Sequence, residues 1–324
     1  MRMLQYIQAI NEALHEEMAR DASVFVIGED VDQNGGVFKA TQGLVERFSA
    51  RRVRGTPISE SAFAGLAAGA AMSGLRPVVE FMYFDFVGVA MDPLVNQMAK
   101  IAGMSGGQLQ VPVTVRAQTG ARTREAAQHS QSLEAWFLHT PGFKVVMPAT
   151  SYDAKGLLKS AVRDNGPVLY IENRQLYYET ESVPDGEWTT PLGVAEVARE
   201  GRDITVVATG YARKLALAAA QALEGTASVE VIDPRSLAPL DLETILNSVS
   251  KTGHLVVVHD APASCGFGAE IVRRVVAQGF DLLDAEPLVV GSAHVPMPFS
   301  PPLEDACLPS TASLTAVIHE IINR

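Results

Sequence analysis

The sequence predicts an α/β protein made of two doubly wound α/β domains. Short apolar segments alternate with segments of helical periodicity over most of the 324 residues. The apolar segments lack the polar alternation of a half-exposed strand, which is typical of parallel strands buried on both faces. One polar stretch, residues 173–191, interrupts this alternation, and we interpret it as a linker. The predicted domains therefore cover residues 1–185 and 190–324.

Each domain is predicted from its own series of elements. The N-terminal segment "MRMLQYIQAINEAL" predicts an amphipathic helix. The strands predicted in the first domain are 24–30, 77–82, 111–117, 144–149 and 167–172, and the helices are 60–74, 90–102, 132–139 and 151–162. The strands predicted in the second domain are 203–210, 228–233 and 255–261, and the helices are 211–223, 241–250, 267–278 and 310–322.

Composition excludes several classes of function. The net charge of −11 makes nucleic acid an unfavourable partner, because binding phosphates requires a basic surface. The two cysteines, Cys265 and Cys307, lack the spacing of a zinc site. No apolar run approaches the length that crosses a membrane, and the N-terminus lacks the pattern of a signal peptide. We therefore expect a soluble cytoplasmic protein without a nucleic-acid or membrane partner.

Glu60 is the first candidate for chemistry. It follows "TPIS" at the start of a helix rich in glycine and alanine, and it is the only acid between Glu46 and Glu80. A carboxylate here either complements the helix dipole in solvent or is partly buried and used for proton transfer. The next strand ends in "EFMYFDF", where Met82 and Phe86 form either ordinary core or an apolar platform for a flat ring.

Two histidines lie in "AAQHSQSLEAWFLHTPG", residues 126–142. His139 falls in the last turn of the predicted helix, where the dipole favours a histidine for structural reasons alone. His129 precedes that helix, on a loop of the kind that presents reactive groups. Histidine is the usual acid–base group near neutral pH, so His129 is the candidate for proton transfer, although the pattern by itself leaves both interpretations open.

No phosphate-binding motif accompanies these candidates. Neither G-x-G-x-x-G nor G-x-x-x-x-G-K follows a predicted strand, so the sequence offers no obvious site for a diphosphate. The Asn-Gly-Pro turn within residues 163–170 could bind a monovalent cation through its carbonyl groups, although its residues fit a plain turn equally well.

Taken together, the motifs resemble one family along the whole chain. "GEDV", "TPISE", "QHSQSLEAWF", "PGFKVVMP" and "YDAKGLLKSAVRDNGPV" are similar to the beta subunit of the thiamine-dependent 2-oxo acid dehydrogenases, which includes members acting on pyruvate, branched-chain 2-oxo acids and acetoin. The resemblance implies a transketolase-like pyrimidine-binding domain followed by a transketolase C-terminal-like domain.

The resemblance also implies roles for individual residues. Glu60 would hydrogen-bond the pyrimidine ring of thiamine diphosphate, Met82 and Phe86 would line the pyrimidine pocket, and His129 would serve as acid and base during transfer to a lipoyl group. His129 thereby becomes the favoured histidine, and His139 stays structural. A potassium site built mostly from main-chain carbonyls would involve Val113, Ala161, Asp164 and Gly166.

The same resemblance explains why the sequence lacks a diphosphate-binding motif. An alpha subunit would hold the magnesium and the diphosphate, and two alpha and two beta chains would assemble into the active enzyme. A lipoyl-bearing transacylase would dock on it, and a basic docking module would suit the acidic net charge. The expected reaction is oxidative decarboxylation of a small 2-oxo acid, with pyruvate favoured, followed by reductive acylation of the lipoyl group.

Three alternatives remain from the sequence alone. The chain could be the beta subunit of an acetoin dehydrogenase, or a non-catalytic subunit that only stabilises an alpha chain. It could also be half of a split transketolase or deoxyxylulose-phosphate synthase, which "QHSQSLEAWF" fits poorly. The loop before His129 departs from the family by carrying Arg122, Arg124 and Glu125, and these charges could select an anionic substrate or a partner.

Overall fold

The computed structural model describes residues 1–323, which divide into two compact units. The first unit contains Met1–Thr119 and Trp136–Leu192, and the second contains Gly120–Ala135 together with the chain from Gly193 onward. The segment Gly120–Ala135, which carries His129, therefore clusters with the second unit although it lies between strands of the first. Within the described residues, no helix combines the length and the apolar character needed to cross a membrane.

The first unit is built on a parallel sheet of long apolar strands. Its strands are β1 (Arg2–Gln5), β2 (Val24–Glu29), β3 (Val53–Thr56), β4 (Arg76–Phe81), β5 (Thr114–Thr119), β6 (Lys144–Val146), β7 (Val168–Asn173) and β8 (Thr180–Val183). Six of them pair in the order β6-β7-β5-β4-β2-β3, all parallel. Strands β2, β5 and β7 are buried along their whole length, which explains their continuous apolar pattern.

Helices cover this sheet. The α-helices that begin before residue 192 are α1 (Tyr6–Arg20), α2 (Leu44–Phe48), α3 (Glu60–Met72), α4 (Ile101–Met104), α5 (Glu134–Leu138) and α6 (Ser151–Arg163). Helices α1 and α6 pack together around two buried lysines, Lys155 and Lys159, which bind Glu16 on α1. Each buried lysine thus has a carboxylate partner, as the burial of a charged side chain requires.

The sequence prediction was wrong at three places in this unit. The chain begins with β1, which pairs antiparallel with β8, so the predicted helix starts only at Tyr6 and the predicted linker contains a strand. The predicted helix 90–102 is a 3₁₀-helix over Phe84–Ala90, a π-helix over Asp92–Met98 and then the short α4. The helix predicted at 132–139 is the five-residue α5.

The second unit contains a smaller sheet with helices around it. Its strands are β9 (Glu196–Arg199), β10 (Ile204–Ala208), β11 (Val229–Asp233), β12 (Ser236–Ala238), β13 (Leu255–Pro262) and β14 (Leu288–Ser292). Its helices are α7 (Tyr211–Ala222), α8 (Leu242–Thr252), α9 (Phe267–Gly279), α10 (Pro301–Cys307) and α11 (Thr311–Ile322).

Five of these strands pair in the order β14-β13-β10-β11-β9. The only antiparallel strand among them is β9, which lies at one edge. The sequence prediction missed β9, β12, β14 and α10. The first three are short or only partly buried, and β14 is half-exposed over most of its length. Such strands lack the continuous apolar pattern that marks the central ones.

Candidate active site

The strand order of the first unit creates a topological switch point. From β2 the chain passes to β3 on one side, returns through α3 to β4 on the other side, and then continues outward to β5. The connection that leaves β2 runs toward one side of the sheet, and the connection that leaves β4 runs toward the other side. A topological switch point therefore lies between these two strands. In open α/β sheets, ligands bind outside the carboxyl ends of the strands at such a point.

Glu60 lies at this edge, as the first residue of α3. Its side chain is buried, and the residue is only 6% exposed. The ring of Phe63 packs on that of Phe81 at the end of β4, with 5.1 Å between centroids. The Ser61 hydroxyl donates a hydrogen bond to the carbonyl oxygen of Val89. These contacts fix the first turn of α3 between the sheet and the 3₁₀-helix, so the Glu60 carboxyl group is held in place.

A second carboxyl group, Glu29, lies beside Glu60. Burial raises the pKa of Glu29, the charges of Glu60 and Asp30 add to the rise, and together these causes move the pKa from 4.5 to about 7. Its Oε1 is buried without a hydrogen-bond partner among the described residues, and so is Oγ1 of Thr56, the residue paired with Glu29 in β3. Buried polar atoms without partners are uncommon in folded proteins, so they indicate a polar ligand next to Glu60.

The aromatic residues after β4 separate into core and edge. Phe84 is completely buried and stacks on Phe137, with ring centroids 5.9 Å apart. Met82 and Phe86 are half-buried, and they follow β4 on the same edge that Glu60 occupies. Met82 and Phe86 thus remain candidates for an apolar platform, and that role stays a prediction.

His129 lies on the loop that belongs to the second unit. The side chain is half-buried, and its main-chain N–H donates to the carbonyl oxygen of Ala126. His139 lies just beyond the end of α5 and is exposed. The half-buried position of His129 suits a group that exchanges protons with a ligand, whereas His139 lies on an open surface.

Ion pairs within the second unit anchor the loop of His129. Arg122 donates to Asp260 at 3.0 Å, and its guanidinium lies 4.8 Å from the ring centroid of Tyr211. Arg124 binds the buried carboxylate of Glu304 at 2.6 Å. Both arginines are therefore paired inside their own unit, which argues against the idea that their charge selects an anionic substrate.

Glu134 is a titratable residue of this loop that the sequence did not single out. Burial raises its pKa, a hydrogen bond from its own main chain opposes the shift and the charge of Asp260 supports it, so that the pKa moves from 4.5 to about 7. Its Oε2 is buried without a hydrogen-bond partner among the described residues. A glutamate in the first turn of a helix is usually solvated, so only the folded structure reveals the raised pKa of this one.

The candidate potassium residues already have other partners. The Val113 carbonyl accepts from Val168 N–H in the sheet, and the Ala161 carbonyl accepts from Asp164 N–H. The Arg76 guanidinium donates to the Asp164 carbonyl at 2.8 Å, and Gly166 N–H donates to the Asp164 carboxylate. A fixed positive charge at this turn does not fit a second cation, so potassium stays a prediction from the resemblance.

Comparison with known proteins assigns the fold to a family. The family description "Transketolase, pyrimidine binding domain" matches residues 2–180, and "Transketolase, C-terminal domain" matches residues 193–314. The pyruvate dehydrogenase E1 component subunit beta of Rhizobium meliloti is 46% identical over 97% of this chain and 69% of its own length. The chain belongs to this transketolase-like family of beta subunits.

Other relatives of this transketolase-like beta subunit have a different named activity. The acetoin:2,6-dichlorophenolindophenol oxidoreductase subunit beta of Bacillus subtilis is 44% identical, over 99% of this chain and 98% of its own. A solved split-gene transketolase, described as an inactive beta4 tetramer, superposes with a TM-score of 0.81 at 22% identity, covering 99% of this chain and 98% of its own. At that identity it supports the fold alone. Family and fold class are thus confirmed.

Within this beta subunit, three of the predicted residues lie along one edge of a sheet. Glu60, Met82 and Phe86 lie along one edge of the first unit's sheet, and His129 lies on a loop of the second unit. Sequence reasoning missed Glu29 and Glu134. Glu29 belongs to the "GEDV" motif, and its position as the last residue of a buried strand was the one available signal.

Proposed function

We propose that this chain is the catalytic beta subunit of a thiamine-diphosphate-dependent 2-oxo acid dehydrogenase, with pyruvate as the first candidate substrate. The observation that carries the proposal is the buried Glu60 at the carboxyl edge of the sheet, the edge where two buried polar atoms of Glu29 and Thr56 lack partners. Membership of the family agrees with it, since the relatives are named as beta subunits of pyruvate and acetoin oxidoreductases.

The residues of this chain fit the aminopyrimidine part of the cofactor. Glu60 would hold a proton against a ring nitrogen, while Met82 and Phe86 would cover the flat ring. When bound, thiamine diphosphate supplies a nucleophilic carbon and an electron sink for cleaving the bond next to a carbonyl group. Glu29, with its pKa near 7, would be largely protonated below neutral pH, and this limits the negative charge next to Glu60.

His129 would move protons at the other reacting group. A half-buried imidazole can donate a proton to an oxygen or sulfur atom and take it back, which transfer of an acyl group to a lipoyl arm requires. Glu134, on the same loop, offers a second carboxyl group that exchanges its proton near neutral pH.

We infer that an alpha subunit holds the magnesium and the diphosphate, because this chain has no glycine-rich phosphate loop. Helix α3 presents Gly65 and Gly69 on its outer side, where a Cβ would meet nothing within 4 Å. Next to them, Leu66 is 50% exposed and Ile58 is 83% exposed. Such a face allows the backbone of a partner to approach closely. Two alpha and two beta chains, a lipoyl-bearing transacylase and a cytoplasmic location complete the proposal.

Substitution of Glu60 in the assembled enzyme tests this proposal. Glu60→Gln keeps the shape of the side chain and removes its proton-holding carboxylate, so we expect turnover of pyruvate with an artificial electron acceptor to fall at least about 100-fold. The matched control is Glu46→Gln, a change at an exposed acid on α2. Near-normal turnover of the Glu60 variant would contradict the proposal.

Two further results would favour the alternatives. Full activity of both Glu60→Ala and His129→Ala would favour a subunit that only stabilises its partner. Turnover of sugar phosphates by the assembled enzyme would favour a split transketolase, which the solved neighbour represents at the level of fold.

A further inference from the structure

The sheet of the second unit also has a topological switch point. From β10 the chain runs through α7 to β11 on one side, and from β11 it runs through β12 and α8 to β13 on the other side of β10. Strands β10 and β13 pair in parallel, and the connections that leave them run in opposite directions. In open α/β sheets, the carboxyl ends of two such strands are the place where a ligand binds.

A side chain of the protein itself lies at this place. Asp260 is near the carboxyl end of β13, and Tyr211 begins α7 directly after the turn that follows β10. Arg122, on the loop of His129, donates to Asp260 at 3.0 Å. The same guanidinium lies 4.8 Å from the ring centroid of Tyr211 and donates to the Pro309 carbonyl oxygen at 2.8 Å. Arg122 thus bridges the groups at the ends of β10 and β13, as a bound ligand would.

The ion pair at the switch point is largely buried. The side chain of Arg122 is 15% exposed and that of Asp260 is 5% exposed. Salt and solvent screen such a pair much less than a pair on the surface. Removal of either partner leaves the other charge buried without compensation. The pair therefore holds the guanidinium at one position between the strands.

The backbone of the same loop is held in a conformation that it would not adopt freely. Arg122, Arg124 and Ala126 have φ values of 72°, 62° and 62°. Left-handed backbone at residues with side chains persists only where surrounding contacts impose it. The buried Glu304 carboxylate supplies such contacts, since it accepts from the Arg122 main-chain N–H at 2.8 Å and from the Arg124 guanidinium at 2.6 Å. The His129 main-chain N–H donates to the Ala126 carbonyl oxygen, so this fixed backbone leads directly to His129.

We propose that Arg122 is a positioning residue for His129. By binding Asp260 at the switch point of the second unit, it fixes the loop that presents His129 for transfer to the lipoyl arm. The place where a ligand would bind to this second sheet thereby anchors a catalytic loop. The inference rests on the proposed function, since it explains how the acid–base group of that function is held.

Two rates in the holoenzyme, assembled with alpha subunit, thiamine diphosphate and magnesium, test this inference. Electrons from pyruvate pass either to an artificial acceptor or to the oxidised lipoyl group of a lipoylated transacylase domain, and only the second rate requires acyl transfer. In Arg122→Met we expect the ratio of the lipoyl-dependent kcat to the acceptor-dependent kcat to fall at least about 10-fold. The KM for the lipoylated domain should change less than about 3-fold, because a displaced acid–base group slows a chemical step without removing binding contacts.

Further variants separate positioning from folding. Arg122→Lys keeps the positive charge and should recover part of the ratio. Asp260→Asn keeps the shape of the partner and should lower the ratio to a similar extent, and it provides the test if Arg122→Met does not assemble. The double variant should be no worse than either single one, because each breaks the same contact. Arg199→Met breaks an ion pair with Glu224 elsewhere in the second unit and should leave both rates unaffected.

The outcomes distinguish this inference from the function on which it rests. An unchanged ratio in Arg122→Met, equal losses of both rates, or additive losses in the double variant would overturn the role of Arg122. An unchanged ratio in His129→Ala would remove the role of His129 and the inference with it. Absence of acceptor-dependent turnover of any 2-oxo acid by the wild type, with cofactor bound, would count against the proposed function itself.

Discussion

Replacing Glu29 with glutamine should stabilise the chain in a pH-dependent way. Folding raises the pKa of this carboxyl group from 4.5 to about 7, chiefly through burial and then through the charge of Glu60. The folded state therefore disfavours the ionised form. Stability is fully retained below pH 4.5, declines as the pH rises to 7, and stays reduced above it.

The magnitude follows from the two pKa values. Their difference corresponds to about 3 kcal/mol, which is an upper bound. Solvent near the edge of the sheet screens part of the interaction, so we expect about 1 to 2 kcal/mol. Glu29→Gln removes the charge and keeps the shape, so this amount should appear as a gain in the free energy of unfolding at pH 8.

Denaturant unfolding of the purified chain at pH 5, 6, 7 and 8 would measure this gain. We expect it to be small at pH 5, where the carboxyl group is protonated in the folded state and the pH lies only slightly above its unfolded pKa of 4.5, and to approach its full value by pH 8. Glu46→Gln, at an exposed acid, should show no such trend. A gain that is equal at pH 5 and pH 8, or a loss at pH 8, would refute the reasoning about charge next to Glu60.

Three other substitutions test buried contacts that stabilise the two units. Arg116→Met should lower the free energy of unfolding by about 3–5 kcal/mol, because it leaves Glu80 and Glu172 buried without their cation. Urea unfolding would measure this loss. Adding Glu172→Gln to the variant should recover part of it. Burial lowers the pKa of His259 from 6.5 to about 4. The folded state thus keeps this histidine neutral, and stability should fall as the pH drops from 6.5 to 4; His259→Gln should remove that slope in an acid titration followed by circular dichroism, and an unchanged slope would contradict the assignment. Gly28→Ala should lower the thermal midpoint measurably, because its Cβ would lie 2.6 Å from the Glu80 carbonyl oxygen; an unchanged midpoint would mean that β2 and β4 can separate freely.

The central strands are buried on both faces, and this explains why the alternation of strands and helices could be predicted from the sequence. Strands such as β5 and β7 are buried from end to end. Each one is therefore a continuous apolar segment, which can be recognised without knowing which strands lie beside it. The start of α3 was readable for a similar reason, since "TPIS" separates the preceding segment from a helix rich in glycine and alanine.

Other features depend on partners that are distant in the chain. Strand β1 has four residues and is held by β8, so no local periodicity marks it. The helix expected at 90–102 contains Pro93 at the start of a π-helix and follows a 3₁₀ segment, and the apolar pattern does not distinguish these forms. Packing against α3 and the sheet decides among them.

The sequence by itself determined the α/β class, the family, and Glu60 and His129 as the residues to examine, because these depend on local pattern and on contiguous motifs. Tertiary structure decided which groups share an environment. Register between strands brought Glu29 and Thr56 to the edge where Glu60 lies, and it left the Gln118 amide buried beside a carboxylate already bound by Arg116. A pKa or an unpaired hydrogen bond belongs to a set of neighbours in space, and residues far apart in a chain become neighbours only when it folds.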